Sequence, residues 1–126
     1  MRAVDTNVLV RIVTRDDEKQ VESADAFIER GAWVSHLVLA EAIWVLRSTF
    51  GLDHARIATV IEMLLGHRSF TLQDADVVAS ALERYRSKPK IGFSDCLILE
   101  IASKAGHLPL GTFDKELSKF DSAERL

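Results

Sequence analysis

The sequence predicts an α/β fold, a three-layer αβα sandwich built on a small parallel sheet. Three observations carry that prediction. Short apolar runs of strand length alternate with longer stretches of helical periodicity along the whole chain, the pattern of a parallel sheet with helices on both faces. Four of the six glycines, Gly31, Gly51, Gly66 and Gly106, each follow a helical stretch, where a left-handed turn commonly ends a helix. The first apolar run stops at Asp5, which puts a carboxylate at the carboxyl end of a strand, where open α/β sheets bind ligands. The 126 residues fit one domain, residues 1–126, large enough for one core.

Each element follows from local pattern. Arg2–Val4 reads as a strand and Asn7–Val13 as a short helix. Asp16 and Asp17 open a second helix at its positive end, with Val21, Ala24, Phe27 and Ile28 on one face and Gly31 as its stop. Ala32–Val34 is a strand. Ser35 caps a third helix, apolar nearly all round from Leu37 to Leu46 and therefore expected to be buried. Asp53 caps a fourth, whose stripe is Ile57, Val60, Ile61, Leu64 and Leu65. Residues 69–72 are a strand. A fifth helix carries Val77, Val78, Ala81, Leu82 and Tyr85, then a basic tail. Ser94 is expected to cap a sixth, with Leu97, Ile98, Ile101, Ala102 and Ala105 facing the core. Residues 108–111 suggest another strand, although Pro109 argues against a central position. A short helix around Leu117 follows, and the polar tail after Phe120 is expected to fray.

The bulk properties exclude several classes. No apolar run approaches bilayer length, so no membrane association is expected. Asp5 interrupts any apolar leader, so no signal peptide is expected. Cys96 is the only cysteine; it permits no internal disulfide and suits a cytoplasmic location. A net charge of −3 argues against binding nucleic acid through bulk charge. Any such role must use a local basic patch, metal ions or transient catalysis.

Four acids stand out. Asp5 follows the first strand, Asp114 the last clear one, and Asp95 opens a helix. In a parallel sheet the strand-to-helix connections emerge at one edge, which would collect these three there, with Glu41 near them. Singly, Asp5, Asp95 and Asp114 read equally well as helix caps or first-turn acids. Glu41 is harder to explain, because a carboxylate on a buried helix costs several kcal/mol unless paired. Its nearest sequence partners, His36 and Arg47, miss the three- or four-residue helical spacing. Four carboxylates in one pocket repel, and a divalent cation removes the conflict. Carboxylates and water suit magnesium or manganese rather than zinc, and the four histidines show no zinc-type spacing. The implied chemistry is phosphate-ester hydrolysis by metal-bound hydroxide.

The residues around these acids carry a family resemblance. Val4-Asp5-Thr6-Asn7-Val8-Leu9, Leu39-Ala40-Glu41-Ala42-Ile43-Trp44-Val45-Leu46, Phe93-Ser94-Asp95-Cys96-Leu97-Ile98 and Thr112-Phe113-Asp114-Lys115 resemble, in order, the blocks of PIN-domain nucleases. The length resembles that of VapC-type toxins of bacterial toxin–antitoxin pairs. The resemblance implies an acidic site of Asp5, Glu41, Asp95 and Asp114, with Asp5 and Asp95 as the main metal ligands. Glu41 and Asp114 would complete it, and Thr6, Asn7 and Thr112 would support it by hydrogen bonds. It further implies Mg²⁺- or Mn²⁺-dependent endonucleolytic cleavage of RNA, a VapB-type antitoxin whose tail covers the groove, and a homodimer. Ser94 and Cys96 stand where small alanine-like residues often flank the acid; both are small, and Cys96 reads as a buried hydrophobe.

A polyanionic substrate calls for cations beside the acids. Arg11, Arg15 and Arg47 are candidates for RNA binding, Arg11 and Arg47 being the better ones because they lie closer in sequence to the site acids. The run from Arg84 to Lys90 fits a solvated helix end as well as an RNA contact. Trp33 and Trp44 fit core packing or a dimer contact better than base stacking. Two further readings compete: a PIN-type RNA-processing nuclease without an antitoxin, and a non-catalytic doubly wound binding module whose acids are caps and ion pairs. An aspartyl-nucleophile phosphatase is disfavoured because the position two after Asp5 is Asn7. No glycine-rich phosphate loop is present.

Overall fold

The computed structural model describes all residues, 1–126. The chain forms two units, Met1–Ala75 and Asp76–Leu126. In the first, β1 (Arg2–Ala3), β2 (Ala32–Val34) and β3 (Phe70–Leu72) form a parallel sheet in the order β1-β2-β3. Helices α1 (Thr6–Thr14) and α2 (Glu18–Ile28) connect β1 to β2; α3 (His36–Ser48) and α4 (His54–Gly66) connect β2 to β3. Each of the four helices starts at a side-chain cap: Asp5, Asp17, Ser35 and Asp53 each accept a hydrogen bond from the backbone N–H three residues on. Each such cap contributes about 1 kcal/mol. The core of this unit holds Leu9, Val10, Val34, Leu39, Leu46, Ile57, Ile61 and Leu64, all at most 1% exposed.

The second unit contains α5 (running Ala75–Ser87 from the boundary), α6 (Phe93–Ala105), β4 (Leu110–Thr112), a 3₁₀ turn (Leu117–Lys119) and β5 (Ala123–Arg125). Strands β4 and β5 pair in parallel. Tyr85 of α5 and Phe93 of α6 are fully buried and meet edge to face, centroids 5.9 Å apart. The Arg84–Glu100 ion pair adds a second link between the two helices. The α/β class with parallel strands agrees with the sequence prediction.

Several local expectations are corrected. Helix α6 starts at Phe93, with Gly92 as its cap residue, rather than after Ser94. Its buried residues are Phe93, Cys96, Leu97 and Leu99, whereas Ile98 and Ile101 are 49% and 39% exposed. The buried stripe begins with Phe93, and including that ring rotates the helix away from the expected face. Helix α3 is not buried all round: Leu37 and Trp44 are each 69% exposed, and Glu41 lies between them on the same solvent-facing stripe. Core packing is therefore excluded for Trp44. The strand expected at 108–111 is shifted to Leu110–Thr112, and a cis peptide precedes Pro109. The polar tail does not fray. Backbone hydrogen bonds flank its pairing with β4, Leu110 N–H to Ser122 and Leu126 N–H to Thr112. Gly31, Gly51 and Gly106 do have positive φ, but Gly66 is the last helical residue of α4 and does not.

Candidate active site

The first unit brings Asp5, Thr6 and Glu41 together. Val4 continues the sheet past β1, its N–H donating to the Trp33 carbonyl at 3.1 Å. The chain then turns into α1, and Asp5 caps the helix by accepting from Val8 N–H at 3.2 Å. Packing of α1 on α3 carries Thr6 to Glu41, and the Thr6 hydroxyl donates to Glu41 Oε2 at 2.9 Å. Glu41 is exposed, so its charge carries no burial penalty, contrary to the expectation of a buried carboxylate needing a countercharge. Its partner is a hydroxyl 35 residues away, and Arg47, in the last turn of α3, is exposed. Asn7 is exposed beside Asp5. Arg11 donates to Gln20 at 2.6 Å and to Asp16 at 3.4 Å.

The second unit brings together Asp95, Asp114 and Thr112. Asp95 lies in the first turn of α6 and is half-buried. Burial, and then the negative charge of Asp114, push its carboxyl above the usual carboxylate range. Asp114 sits just after β4. Its Oδ1 accepts from the N–H groups of Glu116 and Leu117 at 2.8 and 3.1 Å, and its own N–H donates to the Thr112 hydroxyl at 3.0 Å. These bonds fix the Asp114 carboxylate.

The sequence-predicted acids thus appear as two pairs, one in each unit. No three side chains among His, Cys, Asp and Glu converge closely enough to cage an ion. The donors are all carboxylate oxygens, and magnesium ordinarily takes one or two carboxylates from a protein, with water and phosphate oxygens supplying the rest. Half-buried Asp95, with the charge of exposed Asp114 acting on it, fits such a hard cation on charge and donor type.

Cys96 is buried, and burial, followed by the Asp95 charge, raises its thiol to about 11. At pH 8 that leaves about a hundredfold less thiolate than an ordinary thiol. A disulfide reagent should therefore label native protein only at the rate of unfolding, and denatured protein at once. Rapid labelling of the native chain would contradict the packing of α6.

Sequence reasoning did not single out Lys19 and Gln20. They line a cleft that Asp5 also lines. The one signal for them is the short link 15–17, which forces α2 to fold back along α1.

Comparisons with curated proteins and with solved structures return no match. The family model of the PIN domain matches residues 2–123. That span includes all four acids, and PIN domains are generally nucleases. With nearly its whole length matched, the chain belongs to the PIN-domain family.

Proposed function

We propose that the protein is a magnesium- or manganese-dependent endoribonuclease acting as the toxin of a VapBC-type toxin–antitoxin pair. The observation that carries this reading is the PIN-domain match over residues 2–123, a span that includes Asp5, Glu41, Asp95 and Asp114; the Asp114 charge acting on half-buried Asp95 supports it. A like charge nearby disfavours an ionised carboxylate, and a bound cation removes that cost. In the proposal, the catalytic carboxylates are Asp5, Glu41, Asp95 and Asp114. A bound divalent ion would supply a hydroxide from its water and offset charge building on the phosphoryl oxygens.

The chain's own residues then have distinct tasks. Asp5 and Asp95 would be the main metal ligands. Asp114, fixed by two backbone N–H groups, and Glu41, held by the Thr6 hydroxyl, orient the attacking water. Thr112 keeps the Asp114 turn in place, and Asn7 supports the site from beside Asp5. Arg11 and Arg47 contact the RNA. Exposed Leu37 and Trp44 support a homodimer, since large apolar side chains grouped on one exposed face commonly mark an interface. A VapB-type antitoxin completes the proposal by covering the groove in the cytoplasm.

The deciding experiment separates the two roles of Asp5. Serine caps a helix as well as aspartate does but brings no carboxylate. With a mixed transfer and ribosomal RNA pool and magnesium, the wild type should cut at few positions and EDTA should stop it. Asp5→Ser should keep its melting temperature and lose cleavage. Asp5→Ala should lose cleavage and also about 1 kcal/mol of stability. Full cleavage by Asp5→Ser would reduce Asp5 to a cap and sink the four-carboxylate reading.

A further inference from the structure

We propose that the cleft between α1 and α2 is a nucleobase subsite, which holds one unpaired base of the RNA beside the scissile phosphate. This inference rests on the ribonuclease reading and specifies which part of the substrate that site distinguishes.

The cleft has a volume of about 520 Å³, and Asp5 is among its lining residues. That lies within the range of about 300–1,000 Å³ usual for small-ligand sites. Its construction is two-sided. Val8 on α1 and Ala24 and Phe27 on α2 supply apolar walls. The Arg2 guanidinium lies 3.7 Å from the centre of the Phe27 ring and donates to the Phe27 carbonyl at 3.2 Å. Phe27 is thereby held from both its ring and its backbone. Asn7 and Gln20 add two carboxamides to the lining. Arg11 Nε binds Gln20 Oε1 at 2.6 Å, which orients the amide and leaves its NH₂ as the free donor pair. Lys19 adds a cation to the lining.

A nucleobase matches each of these features. Its flat apolar faces suit the Phe27, Val8 and Ala24 walls. Its hydrogen-bonding edge suits carboxamides, which offer a donor and an acceptor on one planar group. The attached phosphate suits Lys19 and Arg11. Only a base free of its helix can enter such a cleft, so the substrate is single-stranded at the cut. A small acidic metabolite would use the cations but leave the apolar walls unused.

The test uses the full-length protein and two readouts. The first is kcat/KM, with magnesium, on single-stranded oligoribonucleotides that differ only in the bases flanking the cut. Gln20→Glu keeps the acceptor for Arg11 and removes the amide donors. It should reorder the base preference by roughly tenfold, within the discrimination usual for a carboxamide contact. Gln20→Ala should flatten the preference, and Phe27→Leu should weaken all bases alike. Lys19→Ala should raise KM without changing the order.

The second readout needs no catalysis. The four nucleoside 5′-monophosphates are titrated in EDTA while the side-chain amide signals of Asn7 and Gln20 are followed by NMR. These signals should shift, with one base preferred. RNA cleavage with an unaltered preference in all the Gln20 and Phe27 variants, and no amide shifts, would overturn the subsite and leave the nuclease intact. Amide shifts without cleavage of any RNA would overturn the nuclease reading and leave a nucleotide-binding cleft.

Discussion

Asp95→Asn should raise the melting temperature in metal-free buffer at pH 7 while abolishing cleavage. The two effects have one cause. Burial and the Asp114 charge hold the folded-state pKa of Asp95 above its ordinary value, so the ionised carboxylate is worse placed folded than unfolded. At neutral pH both states are ionised and the folded state carries the whole penalty. As pH falls through the raised pKa, the folded state takes up a proton first and the penalty is relieved. The stability advantage of Asp95→Asn should therefore be largest at neutral pH and shrink as pH approaches the ordinary aspartate range. Asp25, Asp76 and Glu116 have lowered carboxyls, which act in the opposite direction, but they are common to both proteins and cancel in the difference.

Magnesium should reverse the ranking. An ion bound only by the folded wild type stabilises it by about 2.7 kcal/mol at a hundredfold excess over Kd, and the asparagine variant should gain far less. On the catalytic side, losing the ligand removes several kcal/mol of transition-state stabilisation, or roughly 10²–10⁴ in kcat. Melting curves from pH 4 to 7, with and without magnesium, together with RNA cleavage, measure all of this. A variant less stable than wild type in EDTA would show that Asp95 is a structural first-turn acid instead.

The contrast between Asp5 and Glu41 shows how far local pattern reaches. Asp5 was readable because its task is local: a short apolar run ends there and a helix begins, and the cap bond spans three residues. Glu41 was placed correctly on its helix, but its surroundings were not. The nearest candidates in sequence, His36 and Arg47, are both off the helical spacing, and the actual bond is to Thr6, delivered by packing of α1 against α3. No spacing rule within one helix can supply such a partner. Strand β5 failed for a similar reason. Ala123-Glu124-Arg125 has no strand-like alternation, and its structure comes from backbone pairing with β4. The cleft beside Asp5 was invisible because its walls come from two helices, and neither is unusual alone.

Phe93→Ala should be the most destabilising single change in the second unit. The ring is 2% exposed and packs edge to face on Tyr85, itself fully buried. Removing a buried phenylalanine costs about 3–5 kcal/mol, a large part of the roughly 5–15 kcal/mol that a domain holds. Phe93 is also the first residue of α6, and no side chain caps this helix. The ring therefore anchors the turn that a cap would otherwise secure, and Asp95 lies two residues further on. Phe93→Leu, which keeps most of the volume, should cost about 1–2 kcal/mol and remain folded at 25 °C. If the ring sets the position of Asp95, that variant should lose activity mainly in kcat, because RNA contacts elsewhere are untouched while the carboxylate is displaced. Urea unfolding gives the first number and steady-state cleavage the second. A folded Phe93→Leu with wild-type kcat would confine Phe93 to stability, and would place the anchoring of Asp95 in the backbone of α6 rather than in its buried ring.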